Sequence, residues 1–445
     1  MHKPTPISGF PEWLPAQRLE EQRFLDTIRQ VYELYGYTNL ETSAVERVEV
    51  LQAKGEVDKE IYGLGRLRGQ TTRWELALHF DLTVPLARYV AQNYGDLNFP
   101  FKRYQIQKVW RGERPQEGRF REFYQADVDV IAEDRLPLHF DAEMPALIHD
   151  IFQRLGIKAL LRLNNRKILK GYYEGLGLAE ERVPEVLREV DKLEKIGPDA
   201  VRRTLEESGL DSTLANRCLE LSTLKGTGAE VFRQARALGV RHPVLEEGLE
   251  ELAFVATELS HLPADQVVFD LGIVRGLDYY TGTIYETTLP EHPGLGSICS
   301  GGRYENLASE FINRKLPGVG ISIGLSRLLA HLFGSGTLAP TRQTPTEVLV
   351  LWPSTDLRQA CRDIAVRLRE AGIPTEIFHE PMALKKQIRY ADRKGIPYVL
   401  FPHRWTPEED LVEIKQLASG EQEELPLETW CARHQRVCSI QCLER

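Results

Sequence analysis

The stretch from Arg103 to Ile131, RYQIQKVWRGERPQEGRFREFYQADVDVI, constrains this chain more than any other. Two β-type runs flank a loop, Gly112–Gly118, that holds Pro115 and two glycines, which is turn chemistry. Residues two apart on a strand share a face. The second run therefore points Arg121, Phe123, Gln125, Asp127 and Asp129 one way, and Glu122, Tyr124, Ala126, Val128 and Val130 the other. The latter row is mostly apolar and suits a core. The former sets a cation, an aromatic ring, an amide and two carboxylates side by side. It reads either as a solvated sheet face or as a ligand platform, since Arg suits phosphate and Phe suits a stacked base.

Length and composition bound the remaining possibilities. A chain of 445 residues has room for two or three domains. With 42% apolar and 27% charged residues it is ordinary globular material. No run of eighteen apolar residues occurs, so no transmembrane helix is expected. The N-terminus, MHKPTPISGFPEW, has no apolar signal core, and a cytoplasmic location is the expectation. The net charge of −9 argues against general polyanion binding, so nucleic-acid contact must come from local basic patches. Six cysteines are scattered, and free thiols are expected. Cys431, His434, Cys438 and Cys442 cluster in the tail, but without the tight Cys-x-x-Cys pair of structural zinc sites, and no metal site is assigned.

Taken in order, Gln17–Tyr35 has a helical period, with Phe24, Ile28, Val31, Tyr32 and Tyr35 on one stripe and Gly36 as a stop. Tyr37–Thr42 reads as a strand. This pair is either an internal packing unit or a subunit interface. In Ala77–Leu86, Asp81 and Thr83 face one side of an extended chain. Asp81 either caps the following helix or joins Thr83 in holding an ammonium group. From about 165 to 258, helix formers dominate, with Asp211 as a cap and no evident chemistry. Gly-rich strand-like sequence returns at 267–290, and Gly318–Gly324 reads as a strand entering a helix through Leu325, Leu328 and Leu329. Arg327 sits in that helix's first turn, where the dipole offers a cation nothing. An anionic ligand explains it, with an ordinary surface Arg as the alternative. Gly334–Pro345 reads as a linker. Beyond it, strands and helices alternate as in a small α/β domain with a largely parallel sheet. Its second helix carries Lys385, Lys386, Arg389, Arg393 and Lys394, which are a solvated face or a phosphate-backbone contact.

These segments together resemble the histidyl-tRNA synthetases, class II aminoacyl-tRNA synthetases, over nearly the whole chain. VWRGERPQEGRFREFYQADVDV resembles motif 2, GVGISIGLSRL motif 3, FDLTVPLARY the amino-acid-binding turn, and RGLDYYTGTIYE (Arg275–Glu286) the peptide particular to this family. SGGRYENL resembles the strand ahead of motif 3, and the terminal domain, including LKKQIRYADRKGIPYVL, resembles the family's anticodon-binding domain. Departures fall at His79, Ser326, Ser43 and Phe401–Arg404, where the family often carries other residues.

The resemblance implies an α/β fold with an α+β catalytic core: an antiparallel sheet flanked by helices, a helical insertion and a C-terminal α/β anticodon-binding domain. The divisions are 1–164 and 259–333 for the core, 165–258 for the insertion, 334–345 for the linker and 346–445 for the terminal domain. It implies that ATP and L-histidine form histidyl-adenylate, whose histidyl group passes to the 3′ end of tRNA(His), with Mg²⁺ on the phosphates and a homodimer as the working form. Arg111 and Arg275 are the implied catalytic cations at the α-phosphate. Glu113, Arg121, Phe123 and Arg327 join Arg111 around ATP. Asp81, Thr83, Gln125, Asp129, Arg275, Tyr279 and Tyr280 surround histidine. Arg114, Gln116, Arg119, Lys385, Lys386 and Arg389 are the tRNA candidates. Two alternatives share the core: the regulatory subunit of ATP phosphoribosyltransferase and a non-catalytic tRNA sensor. The first normally lacks the terminal domain and degrades the RGLDYYTG peptide; the second usually loses motif residues.

Overall fold

The structure, a computed structural model, describes residues 4–54, 60–67, 74–114, 118–274 and 279–434. It forms two compact units: Met1–Glu12 with Phe24–Ser335, and Trp13–Arg23 with Gly336–Arg445. The helix Pro15–Leu34 contributes to both, and Phe24, Ile28, Val31 and Tyr32 are buried along it, as their spacing predicts. Of the strand expected after Gly36, only Thr38–Asn39 is extended and paired.

The first unit is built on a nine-stranded sheet. In chain order its strands are β1 (Thr38–Asn39), β2 (Phe101–Trp110), β3 (Glu122–Ile131), β4 (Leu160–Asn165), β5 (Lys225–Gly226), β6 (Val267–Asp270), β7 (Thr283–Thr288), β8 (Cys299–Tyr304) and β9 (Gly318–Gly324). In space they run β1-β2-β3-β9-β8-β7-β4-β6-β5. The six central strands, β2 to β4 in that order, pair antiparallel throughout. Parallel pairs occur only toward the edges, at β1–β2 and β4–β6. Ala126, Val128 and Val130 face the core as their alternation predicts, and Tyr32 Oη donates to the Ala126 carbonyl at 3.0 Å.

The helix His139–Leu155 brings Asp141 beneath the sheet, wholly buried. Its carboxylate accepts from Arg303 Nε at 2.9 Å and from Thr283 Oγ1 at 2.5 Å, and Arg303 Nη1 also donates to the Leu136 carbonyl at 3.1 Å. A buried ion pair persists when its remaining donors are satisfied, and this one ties β7 and β8 to the helix. The insertion is mainly helical, with Asp211 accepting the Leu214 N–H at 2.9 Å as its cap position predicts. Its helices Arg166–Gly175 and Pro243–Glu258 cross closely because a side chain at Gly171 would lie 2.2 Å from the Leu245 nitrogen. The insertion is not helix alone: β5 adds a strand to the nine-stranded sheet.

The second unit holds a five-stranded sheet of β10 (Val348–Val350), β11 (Thr375–Ile377), β12 (Tyr398–Phe401), β13 (Leu411–Gln416) and β14 (Gln422–Pro426), in the order β11-β10-β12-β13-β14. The first three strands are parallel, and the last two antiparallel. The expectation of a largely parallel sheet is therefore corrected to a mixed one. β14 is an edge strand exposed at Gln422, Glu423 and Glu424, so its charged sequence hides a strand period. Thr344 and Thr346 are buried, and the Gln343 N–H bonds the Lys394 carbonyl, so the end of the Gly334–Pro345 stretch packs on this unit. The helix Leu384–Lys394 is pinned by buried Gln387, whose amide bonds Trp352 N and O and the Met382 carbonyl. Lys385, Lys386 and Arg389 stay exposed on it.

Candidate active site

The ten-residue pairing of β2 with β3 sets Arg103 opposite Asp129, Gln105 opposite Asp127 and Gln107 opposite Gln125. On the other side of β3, Asp129 faces Gly320, Asp127 faces Ser322 and Gln125 faces Gly324. The polar row of β3 thus opens onto a sheet surface lined with small residues. A Cβ on Gly320 would fall 2.0 Å from Asp129 Oδ1, and one on Gly302 2.7 Å from the Tyr280 ring. Any side chain at either position would fill the space.

Two cavities lie on this surface. The larger, about 530 Å³, is lined by Arg111, Glu113, Arg119, Phe123, Gln125 and Arg327, with Lys195 and the segment Gly296–Ser300 completing its walls. The smaller, about 30 Å³, is lined by Thr83, Asp127, Asp129, Tyr279, Tyr280 and Tyr304 among others. Ser300 and Ser322 line both, so the two are adjacent.

The larger cleft is rich in cations. Arg111 is fixed by its Nε donating to the Phe80 carbonyl at 3.0 Å, and its guanidinium lies 5.2 Å from the Phe123 ring centre. Arg327 sits in the first turn of the helix Leu325–Gly334 and donates to the Ser297 carbonyl at 3.2 Å and to the Leu295 carbonyl. The neighbouring Ser326 accepts the Tyr124 N–H at 2.9 Å, which locks that helix to β3. Among the described residues the only carboxylate lining the cleft, Glu113, lies 3.5 Å from Arg119.

The smaller pocket is acidic. Asp129 is met by buried Arg103, with Nη2 at 2.6 Å from Oδ2, and by Tyr304 Oη at 3.2 Å. The Arg103 contact is an ionic approach whose N–H groups are not aligned as hydrogen bonds. Asp127 accepts from Ser322 Oγ, which in turn accepts from Gln125 Nε2 at 2.9 Å. Burial pushes the Asp127 carboxyl up to about 7, opposed by Arg103 and Ser322 and reinforced by Asp129 and Asp81. Burial also raises the Tyr279 and Tyr280 phenols, with Asp129 the next cause, so both remain neutral donors.

Most residues singled out from sequence converge here. Arg111, Glu113, Phe123 and Arg327 line one cleft with Arg119, while Thr83, Asp129, Tyr279 and Tyr280 line the pocket, and Gln125 lies by the shared wall. Asp81 accepts the Val84 N–H at 3.1 Å and so caps the helix Thr83–Gln92, while its charge is felt at Tyr279, Tyr280 and Asp127. Arg121 does not line the cleft; its Nε donates to the Glu113 carbonyl at 3.1 Å, bracing the turn. Arg114 is exposed outside both cavities. Arg275, Gln116, Cys438 and Cys442 lie outside the described residues. His79 is buried, with Nε2 2.7 Å from the Lys108 carbonyl. Sequence reasoning missed Arg103, Tyr304, Ser300, Ser322 and Lys195. Asp127 was visible in the alternating row but given no role.

A family model described as histidyl-tRNA synthetase matches residues 9–328. The chain belongs to the histidyl-tRNA synthetase family. A second model, described as an anticodon binding domain, matches residues 347–433. A histidine–tRNA ligase of Thermobifida fusca is 54% identical over 435 residues, covering 96% of this chain and 98% of its own. One of Micrococcus luteus is 47% identical over 437 residues, covering 95% of each. The crystal structure of histidyl-tRNA synthetase from Nostoc sp. PCC 7120 matches with a TM-score of 0.89 at 40% identity, covering 97% of this chain and 99% of that one. The family peptide RGLDYYTG contributes Tyr279 and Tyr280 to the pocket.

The buried Asp127 yields a pH test. Its folded value is raised from 3.8 to about 7, so the fold favours the neutral form. That contribution to stability is complete below the ordinary value and is lost as pH rises toward about 7. Asp127→Asn should therefore gain on the wild type progressively across that window and run parallel above it. Denaturant unfolding at a series of pH values measures this; a pH-independent difference would mean that Asp127 does not titrate there.

Proposed function

We propose that the chain is an active histidine–tRNA ligase in which the larger cleft takes ATP and the smaller pocket takes the histidine side chain. One observation carries the reading: a cation-rich cleft and an acidic pocket share the wall formed by Ser300 and Ser322. A carboxylate nucleophile and a triphosphate repel, so the reaction needs cations where they meet. Arg111, at the cleft and with its Nε already held, offers its terminal nitrogens to the α-phosphate. Arg275 is proposed as the second cation there and as a contact to the histidine carboxylate, on the family resemblance alone. Phe123 and Arg327, on the walls of one cleft, suit an adenine held between a ring and a guanidinium, and Glu113 suits its amino group.

Gln125 Oε1 is buried with no hydrogen-bond partner among the described residues, which fits it to accept from the substrate ammonium beside Thr83 and Asp81. Asp129, Tyr279 and Tyr280 supply an acceptor and donors for the two imidazole nitrogens. A histidine carboxylate oxygen bonds the α-phosphorus as the bond to the bridging oxygen breaks, and pyrophosphate leaves with the electron pair. A ribose hydroxyl at the tRNA 3′ end then attacks the carbonyl carbon and AMP leaves. When bound with ATP, Mg²⁺ would neutralise charge on the phosphates. No cluster of three or more potential ligand side chains occurs among the described residues, so the donor set suits a metal held through phosphate oxygens and water, with Glu113 at hand. No helix among the described residues is long and apolar enough to cross a membrane. A cytoplasmic location is proposed on the family resemblance.

Histidine-dependent exchange of pyrophosphate into ATP tests the reading directly, and its absence from folded protein would overturn it. Asp129→Asn, which keeps the shape of the pocket, should raise the histidine KM by about a hundredfold and leave the ATP KM nearly unchanged. Equal effects on both would mean that the pocket is misplaced. Both variants remove the counter-charge of buried Arg103, and Asp129→Ala is the poorer probe because it also removes the acceptor oxygen beside Arg103 and empties that wall of the pocket.

The terminal domain is proposed to hold tRNA through the exposed face of its basic helix, on which Lys385, Lys386 and Arg389 have no ion-pair partner among the described residues. Arg114, Gln116 and Arg119 are proposed to meet the acceptor end. Replacing Lys385, Lys386 and Arg389 together by Gln should raise the tRNA KM by about tenfold or more and flatten its salt dependence. Exchange without tRNA should be untouched, and an unchanged tRNA KM would remove the helix from the interface.

We also propose a homodimer formed around the Gln17–Thr42 segment. Strand β1 is exposed at the sheet edge, and it pairs on one side only among the described residues. Light scattering at micromolar concentration should report twice the chain mass; a stable monomer would exclude the arrangement.

A further inference from the structure

We infer that Lys195, carried by the helical insertion, contacts the phosphates of the nucleotide and stabilises the departing pyrophosphate. The inference rests on the reading of the larger cleft as the ATP site.

Lys195 belongs to the short helix Leu193–Ile196 and lines the larger cleft with Arg111, Arg119 and Arg327. Every other residue lining that cleft comes from the catalytic core. The helix stands where it does because of its neighbour. Glu194 bonds Arg162 at 2.5 Å, and Arg162 is bonded in turn to Asp270 at 2.7 Å and to Glu286 at 2.8 Å, on β6 and β7. One residue of the insertion is thus tied to the catalytic sheet, and the next borders the cleft.

The charges divide between the two positions. Arg162 is surrounded by three carboxylates and has little charge left to offer an anion. Lys192 is spent on Glu189 at 2.7 Å. Lys195 is exposed and has no side-chain partner among the described residues, and Glu113, the only carboxylate among the described residues lining the cleft, lies beside Arg119. A free ammonium in a cleft with three guanidinium groups is held against like charge, and an anion bound there reverses the sign of that cost.

Chemistry favours the phosphate end of the nucleotide. An ammonium is a compact point charge on a flexible stem, suited to tetrahedral phosphate oxygens rather than to a flat base, which the Phe123 and Arg327 walls already serve. When the bond from the α-phosphorus to the bridging oxygen breaks, negative charge grows on the pyrophosphate. A cation reaching in from a second domain can meet that charge and withdraw with it.

Lys195→Gln removes the charge and keeps the stem; Lys195→Arg keeps the charge. In histidine-dependent exchange without tRNA, Lys195→Gln should raise the KM for ATP and for pyrophosphate by about tenfold, the scale of a lost hydrogen bond to a charged group. The histidine KM should hold, Lys195→Arg should restore most of the loss, and the difference from wild type should fade at high ionic strength. A purely structural role would predict neither the rescue nor the salt dependence. Unchanged ATP and pyrophosphate KM values in Lys195→Gln overturn the inference. So does a defect confined to transfer from preformed adenylate, which would assign the ammonium to the tRNA 3′ end. Wild-type protein without histidine-dependent exchange would instead overturn the reading of the cleft itself.

Discussion

The register between β2 and β3 is the constraint on which the site depends. A strand has a period of two, so a one-residue slip would move the row Gln125, Asp127 and Asp129 to the opposite face. Ten consecutive pairs prevent that slip. The same pairing brings Arg103 to Asp129, so that buried carboxylate is charge-compensated from the neighbouring strand. Ser326 extends the constraint to the helix that carries Arg327, because its hydroxyl accepts a backbone N–H of β3. The walls of the two cavities are therefore set by backbone pairing more than by side-chain packing.

Charge is sorted along this surface. Arginines gather at the larger cleft, and carboxylates and phenols at the smaller pocket, with a neutral wall of serines between them. The triphosphate and the amino-acid ammonium proposed to bind here need opposite environments side by side. The pocket tolerates two carboxylates because burial and mutual repulsion hold Asp127 partly protonated, while Arg103 stabilises Asp129. Glycine at 302 and 320 leaves the space, since any side chain there would meet Tyr280 or Asp129.

Much of this was legible from the chain alone. The alternating row of β3, the apolar stripe of the first long helix and the basic helix of the terminal domain all follow from local period, which nearest neighbours determine. Arg327 was conspicuous as a cation in a helical first turn, and the structure sets it on the cleft wall. Asp81 admitted two readings; the capping bond is made, and its charge also reaches the pocket. The last strand, β14, was hidden because its Glu-rich edge sequence carries no apolar alternation.

What the sequence by itself determined, then, was the set of chemical groups and the faces they occupy on their own strands and helices, because both follow from dihedral periodicity along the chain. What only the tertiary structure decided was which faces meet. Arg103 and Asp129 are 26 positions apart, and Asp127 and Ser322 are 195 apart, yet each pair is in contact. The insertion showed no evident chemistry in its sequence, yet its Lys195 borders the cleft, next to the Glu194–Arg162 bond. Such contacts depend on strand order and domain docking, which arise from the summed burial of the whole core, and no local pattern encodes them.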